Sequence, residues 1–230
     1  MPNLFPLFIN LEGKKCVVAG FGKVGRRKTA NLLEASPASI LVLDPLPAEK
    51  LPLEASALIK KPVHYESREW KETDLDGSFL VFACTGSQKT NKIIADSCSA
   101  RNMLCNCATP PSAGNCMVPA RSRTGLLHIA FSTSGASPAL AAKIRDEFGN
   151  IAQKYENLAL FMLLLRNEVL ESSGDSCANK TIFQNLLNSN FPKWLDEGRQ
   201  EMCADWIMEH VPSLTPEQIG QILQNFCNKK

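Results

Sequence analysis

Gly20, Gly22 and Gly25 follow directly after a short apolar run and precede a stretch that favours a helix. In this order the first glycine permits the tight turn that leaves a strand, and the second lets a pyrophosphate approach the backbone. The third lets the helix pack closely against the strand. Free N–H groups at the start of that helix then face the phosphates. We therefore predict that a dinucleotide is bound by Gly20, Phe21, Gly22, Lys23, Val24 and Gly25.

An acidic residue stands where such a site needs a partner for the adenosine ribose. Asp44 ends the next apolar run, residues 40–43, about 20 residues after the glycines. A carboxylate at this position accepts hydrogen bonds from the ribose 2′-OH and repels a 2′-phosphate, which favours NAD over NADP. We expect Asp44, Pro45 and Leu46 to border the ribose. The alternative is that Asp44 only starts a turn at the prolines that follow.

Apolar runs of strand length alternate with helix-compatible segments through residues 1–118. The strands are predicted at residues 15–19, 40–43, 63–65, 79–83 and 103–107, and the helices at 24–35, 47–58 and 93–100. This alternation indicates an α/β fold, a Rossmann-type parallel sheet with helices on both faces, which binds its ligand beyond the carboxyl ends of the strands. Thr85 follows the fourth strand at that edge, where it either borders the cofactor or belongs to a simple turn.

The pattern changes after residue 118. Residues 126–131 are typical of a strand, and Ser137 and Pro138 are a good N-cap and first position for a helix over residues 139–148. Only helical patterns follow, and they predict a C-terminal all-helical domain. Its predicted features are a helix over 151–170, a loop over 172–176 and a helix start at 214–217.

The composition is that of an ordinary globular protein. The net charge of +2 gives no indication of a nucleic-acid or membrane partner, and we expect neither. The N-terminal residues do not resemble a signal peptide, and the apolar stretch over 158–165 is shorter than the roughly 20 residues that span a bilayer.

Most of the nine cysteines lie in apolar contexts, which indicates reduced, buried thiols and a cytoplasmic location. The cysteines at 105, 107 and 116 fit no common metal-binding spacing, so we expect packing rather than a metal.

Residues 97–145 contain no acid. Their positive and titratable side chains are Arg101, Arg121, Arg123, His128, Lys143 and Arg145. Such a segment suits a ligand with several carboxylates, held by guanidinium groups and by the start of the helix after Ser137. The alternatives are a solvated basic face and a surface that meets a partner subunit. His128 alternates with Leu127 and Ile129, so it is either an acid–base group near the ligand or a half-exposed strand residue.

Several segments together resemble the precorrin-2 dehydrogenase/sirohydrochlorin ferrochelatase family, the N-terminal module of sirohaem synthase. They lie at residues 6–8, 20–28, 83–85, 105–106, 117–119 and 134–138. The resemblance implies NAD-dependent oxidation of precorrin-2 to sirohydrochlorin for sirohaem, and in some members insertion of Fe²⁺. It also implies a homodimer with a ligand cleft between domains. We accordingly expect an NAD-binding domain (1–118), a dimerisation region (119–150) and a helical domain (151–230).

The resemblance further implies which residues line the cleft for a polycarboxylate tetrapyrrole. They are Asn106, Thr109, Arg121, Arg123, Thr133, Ser137 and Lys143. Thr109 departs from the family, which has an Asp there as the proposed base, whereas Thr133 keeps the hydroxyl of the family's Ser. A Thr hydroxyl is not a base near neutral pH, so protons must pass to water or to His128. We expect a dehydrogenase with weak or no ferrochelatase activity, and a separate chelatase as a candidate partner.

Two functions without catalysis also fit these residues. A nucleotide-sensing regulatory module uses the same glycine loop, and the missing Asp favours it. A tetrapyrrole carrier keeps the substrate but performs no reaction. The basic segment with Ser137 and Pro138 argues against a protein that only senses NAD, because such a protein does not need it.

Overall fold

A computed structural model describes residues 4–172 and 176–229, with only the backbone described at 176–179. The chain forms two compact units, of which the first ends at Val118 and the second begins at Pro119. A further division at residue 150 stays a prediction.

The first unit is built on a five-stranded parallel sheet. Its strands are β1 (Lys15–Ala19), β2 (Ser39–Leu43), β3 (Val63–Glu66), β4 (Ser78–Ala83) and β5 (Leu104–Cys107). Their order is β3-β2-β1-β4-β5, and every neighbouring pair is parallel. The order reverses between β1 and β4. The loops that follow these two strands therefore lie at the position where open α/β sheets bind ligands.

Both faces of this sheet are covered. Helix α1 (Lys23–Leu33) follows β1, the short α2 (Leu53–Ser56) follows β2, and α3 (Gln88–Ala100) follows β4. Cys16 and Val18 share an apolar layer with Leu32 of α1, whereas Val17 shares the opposite layer with Ile94 of α3. Successive side chains of a strand point to opposite faces, so a continuously apolar β1 serves both layers. The Rossmann-type α/β fold predicted from the sequence is confirmed.

In the first unit, two helices have other bounds than predicted and one predicted helix is absent as such. Helix α3 starts five residues earlier because the Ser87 hydroxyl caps it, accepting the Thr90 N–H at 3.2 Å. Helix α1 ends at Leu33 rather than at residue 35. The single helix predicted over 47–58 is wrong. A short 3₁₀ turn at Ala48–Lys50 and α2 stand there instead, because Pro47 and Pro52 precede them and interrupt the backbone ladder.

The second unit begins with an antiparallel hairpin of β6 (Ala120–Thr124) and β7 (Leu127–Phe131), against which α4 (Pro138–Gln153) packs. The approach is close, because a Cβ at Gly149 would lie 2.8 Å from the Ser122 hydroxyl. Strand β6 was not predicted, since its alternating Arg and Ser side chains carry almost no hydrophobic signal.

In its described residues this unit continues with five helices: α5 (Glu156–Ser172), α6 (Ser176–Asn188), α7 (Phe191–Asp196), α8 (Gln200–His210) and α9 (Pro216–Lys229). Phe161 and Phe191 are fully buried, with ring centroids 5.1 Å apart, and Phe226 and Trp206 pack against them. The helix predicted over 151–170 is divided, since α4 continues to Gln153 and α5 begins at Glu156. Residues 173–175 of the predicted loop lie outside the described residues. In the described part of the chain, no helix has the length and apolar character needed to cross a membrane.

The contact between α1 and β1 predicts different effects of alanine at two neighbouring glycines. A Cβ at Gly25 would lie 1.9 Å from the Gly20 carbonyl oxygen, whereas a Cβ at Gly22 meets no atom within 4 Å. We expect Gly25→Ala to lower the free energy of unfolding by about 3 kcal/mol, because the helix must move off the sheet. Gly22→Ala should change it by less than about 0.5 kcal/mol. Urea denaturation measures both, and equal losses in the two variants would contradict this packing.

Candidate active site

The glycine loop is held between two strands of the sheet. Gly20 has a φ of +94°, and its N–H donates to the Leu43 carbonyl at 2.7 Å. A Cβ at Gly20 would lie 2.4 Å from the Cys84 carbonyl oxygen, so only glycine fits this position. The fold itself therefore requires Gly20, as it requires Gly25.

Gly22 differs from these two glycines. Its φ of −65° is open to any residue, and a side chain there would extend into open space. It precedes α1, where none of the described side chains caps the first turn and no acid lies in that turn. The first N–H groups of α1 are thus available to an anion that reaches the backbone at Gly22. The fold does not require glycine at this position. A phosphate lying against the backbone would require it, because a side chain would occupy the same space.

Asp44 links the loop after β2 to the glycine loop. One carboxylate oxygen accepts the Phe21 N–H at 2.6 Å, and the other accepts the Leu46 N–H at 2.9 Å. Asp44 therefore starts the turn at Pro45 and also holds the glycine loop, so the two interpretations of the sequence are compatible. Each carboxylate oxygen has a second lone pair that can accept a hydroxyl.

Tyr65, which sequence reasoning missed, supports the same corner of the site. Its hydroxyl donates to the Leu46 carbonyl at 2.6 Å, and its ring lies 5.5 Å from that of Phe21. Burial, and then the Asp44 charge, raises the pKa of Tyr65 above its usual value. The phenol therefore keeps its proton and remains a donor at neutral pH.

Asn91, on α3, was also missed and connects two loops at the same edge. Its side chain is fully buried, and its amide oxygen accepts the Thr85 N–H at 2.9 Å and faces the Thr85 hydroxyl at 2.7 Å. Its amide nitrogen donates to the Thr85 carbonyl at 3.1 Å and to the Thr109 carbonyl at 3.3 Å. Thr85 and Thr109 are thereby brought together, although 24 positions separate them in the sequence. No pattern in the neighbouring sequence indicates that an Asn at the start of a helix links these two loops.

Asn106 and Thr109 have different surroundings. The Asn106 side chain is half-buried and donates to the Cys116 carbonyl at 3.0 Å, which fixes the segment after β5. Thr109 is exposed at the edge where β5 ends. Its hydroxyl is a weak acid and a hydrogen-bonding group, so it offers no base at neutral pH.

Charged and thiol groups on the α1 side of the sheet are strongly affected by burial. The Lys28 ammonium lies 5.3 Å from the Phe82 ring, and burial lowers its pKa. Cys16 and Cys84 are buried on this side and Cys105 and Cys107 on the opposite side, as predicted for buried thiols, and burial raises the pKa of the Cys84 thiol to about 11. Across the described residues, no three His, Cys, Asp or Glu side chains are grouped to hold a metal ion.

The hairpin of the second unit presents a basic face. Arg123 lies opposite His128, and Arg121 lies opposite Ala130. These side chains are exposed, whereas those of Leu127 and Ile129 are half-buried. His128 thus points away from the packed face, as its alternation indicates.

The loop before α4 is ordered by its own hydroxyls. The Ser137 hydroxyl accepts the Leu140 N–H at 3.2 Å and caps α4, as predicted. The Thr133 hydroxyl accepts the Ser137 N–H at 3.1 Å and donates back to the Ser137 carbonyl. These two side chains shape the loop at the start of the helix.

In the folded protein, the acid-free segment has less net positive charge around it than its sequence indicates. Arg101 pairs with Glu72 and Asp76, and Arg145 pairs with Asp146 at 2.7 Å. Lys143 lies 3.8 Å from Glu147, one helical turn onward. The acids that pair with these cations lie outside residues 97–145, so charge counted along the sequence overestimated the local field.

Known proteins share both units of this chain. Residues 7–120 match the family described as putative NAD(P)-binding, and residues 125–150 match the one described as sirohaem biosynthesis protein central. A sirohaem synthase of Methylobacillus flagellatus is 27% identical over 209 residues, which are 90% of this chain and 44% of that protein. A sirohaem synthase of Thioalkalivibrio sulfidiphilus is 26% identical, over 88% of this chain and 41% of that protein. The chain thus spans less than half the length of these curated relatives.

A solved structure shares the fold. The protein described as SirC, precorrin-2 dehydrogenase, superposes with a TM-score of 0.71 at 21% sequence identity, over 90% of this chain and 98% of that chain. The two matching families follow one another along the chain. The first covers the glycine loop and the second covers β7 and the cap of α4, whereas Arg121 and Arg123 of β6 lie between the two matches. The chain is therefore similar to the sirohaem synthases, and the resemblance to this family predicted from its sequence is confirmed.

Proposed function

We propose that this protein is an NAD-dependent dehydrogenase that oxidises precorrin-2 to sirohydrochlorin in sirohaem biosynthesis. The observation that carries the proposal is Gly22, a glycine that the fold does not need, in front of an uncapped helix at the switch point of the sheet. The sirohaem synthase relatives and a structural neighbour described as a precorrin-2 dehydrogenase support the choice of reaction.

The chain's own groups hold the cofactor in defined ways. N–H groups at the start of α1 bind the pyrophosphate, and the free lone pairs of Asp44 accept the ribose hydroxyls. The Asp44 charge repels a 2′-phosphate, so the cofactor is NAD rather than NADP. Thr85, fixed by Asn91, borders the nicotinamide end. NAD⁺, when bound, supplies a hydride acceptor and leaves as NADH.

The substrate is a tetrapyrrole whose rim carries many carboxylates. Arg121 and Arg123, on one face of the hairpin, bind carboxylates with paired N–H donors. Oxidation removes one hydride and one proton from precorrin-2, and the proton passes to water or to His128. Asn106, Thr133, Ser137 and Lys143 complete the proposed substrate-binding set.

Thr109 separates the two activities of the family. Hydride transfer depends mainly on holding the substrate against the acceptor, and orientation supplies several kcal/mol of that effect. Metal insertion must also remove pyrrole protons, for which a carboxylate base serves better than a hydroxyl. We therefore propose weak or no ferrochelatase activity, and a separate chelatase as a partner.

We also propose a cytoplasmic homodimer in which residues 1–118 bind NAD, residues 119–150 form the dimerisation region and residues 151–230 form a helical domain. An apolar stripe along α4 supports the dimer. Leu140, Phe148, Ile151 and, just beyond the helix, Tyr155 are 46–55% exposed at helical spacing. A stripe of this kind is typical of a protein interface. The buried free thiols support a reducing compartment.

Asp44→Asn tests the cofactor preference. The wild-type protein should bind NAD⁺ at least about 10-fold more tightly than NADP⁺, because the Asp44 charge repels the 2′-phosphate. The variant keeps an acceptor oxygen for the Phe21 N–H but loses the charge, so the ratio should fall to about 3-fold or less. Calorimetric titration measures both affinities, with Asp96→Asn on α3 as the matched control. Equal wild-type affinity for the two cofactors would contradict the assignment.

NADH formation from NAD⁺ and enzymatically generated precorrin-2, under anaerobic conditions, tests the reaction itself. We expect precorrin-2-dependent NADH absorbance, with little Fe²⁺ insertion into the sirohydrochlorin formed. Thr109→Asp should raise iron insertion by about 10-fold or more, since it supplies a carboxylate base.

Two results would count against this assignment. If both ligands bind but no NADH forms, the protein is a carrier or a nucleotide sensor rather than a dehydrogenase. Robust iron insertion by the wild-type protein would show that Thr109 does not limit chelation.

Ile151→Glu tests the dimer. A charge in the middle of the α4 stripe should convert a wild-type dimer into a monomer, because a buried unpaired carboxylate is costly at an interface. Light scattering after size exclusion measures the mass, with Leu53→Glu, at an 86% exposed position of the first unit, as control. A monomeric wild-type protein, or a dimeric Ile151→Glu variant, would exclude this interface.

A further inference from the structure

A groove that the proposed reaction does not use lies between α5 and α6 of the second unit. Its volume is about 610 Å³, and Leu126, in the turn between β6 and β7, closes part of it. This volume lies within the range of roughly 300–1,000 Å³ that small-molecule sites occupy. Along α5 the lining runs from Ala159 to Leu170, a distance of about 16 Å at the rise of an α-helix.

The walls of the groove are apolar although they face solvent. Leu163 and Leu170 of α5 are 40% and 52% exposed, and Leu187 of α6 and Leu126 are 49% and 50% exposed. Leucines from three elements converge here. They lie outside the aromatic core formed by Phe161 and Phe191. Apolar surface gathered in a concave site, rather than scattered singly, is typical of a binding site.

Among the described residues, two cations and no acid enter this apolar lining. Arg166 lies on α5 between Leu163 and Leu170, and Lys180 lies on α6. Within the described part of the chain, neither makes an ion pair or a hydrogen bond. Lys143 and Lys193, by contrast, have a Glu one turn away on their own helices. The groove therefore combines a long apolar surface with two uncompensated positive charges.

We propose that this groove binds a long-chain carboxylate, with its hydrocarbon chain along the leucines and its anionic head at Arg166 and Lys180. A polycarboxylate tetrapyrrole does not fit, because two cations would leave most of its carboxylates against leucine side chains. The concave shape suits one elongated small molecule, whereas the stripe on α4 is the feature that suits a protein. This site is independent of the proposed dehydrogenase activity.

The test uses the full chain and a fluorescent polyene fatty acid whose emission rises in apolar surroundings, without NAD⁺ or tetrapyrrole. We expect saturable binding, and at least about 10-fold weaker binding of the methyl ester, which lacks the charge. The Arg166→Gln, Lys180→Gln double variant should lose about 10-fold in affinity for the acid but none for the ester. Leu163→Asp should abolish binding of both. Lys193→Gln, a lysine on α7 outside the groove, is the matched control.

Three results would overturn the proposal. Equal affinity for acid and ester would show that the cations do not recognise a head group. Binding unaffected by Leu163→Asp and by the double variant would place the probe elsewhere. No binding to the wild-type protein, together with a lower molecular mass for Leu163→Asp, would show that a second copy of the chain covers the groove. If Leu163→Asp fails to fold, the double variant and the ester still decide the outcome.

Discussion

The first unit depends on one close contact, that of the helix α1 with the strand β1. Gly25 lies so near the Gly20 carbonyl that a Cβ on residue 25 would collide with that oxygen. Gly20 in turn lies against the Cys84 carbonyl, after β4. These contacts join a helix and two strands through backbone alone. They leave the start of α1 uncapped at the point where the strand order reverses. The packing therefore leaves backbone N–H groups at that position open to an anion.

Two buried or half-buried side chains make the loops around this position rigid. Asp44 ties the loop after β2 to the glycine loop, and Asn91 ties the loop after β4 to the loop after β5. Each link satisfies backbone groups that would otherwise need water or a ligand. A site prepared in this way holds its ligand with little rearrangement. Such preorganisation matters most for a reaction that depends on orientation rather than on a strong acid or base.

Local sequence patterns predicted most of the strands and turns of the first unit, but few of the side-chain contacts that connect its loops. The five strands and the glycine turn were predictable because apolar runs and glycine spacing act over a few residues. Strand β6 was missed because its stability comes from pairing with β7 and packing on α4, not from its own polar side chains. Tyr65 and Asn91 were missed because their partners are distant in sequence. The ion pairs of Arg101 with Glu72 and Asp76 likewise could not be predicted from the residues next to Arg101 in the sequence.

The central claim is that the backbone at Gly22 is open because a dinucleotide phosphate lies against it. Calorimetric titration of NAD⁺ into the wild-type protein, Gly22→Ala and Gly220→Ala tests this most directly, since Gly220 also has open space around it but lies in α9. We predict that Gly22→Ala weakens NAD⁺ binding by at least about 10-fold at unchanged stability, and that Gly220→Ala binds as the wild type does. Equal affinity in all three proteins would contradict the account.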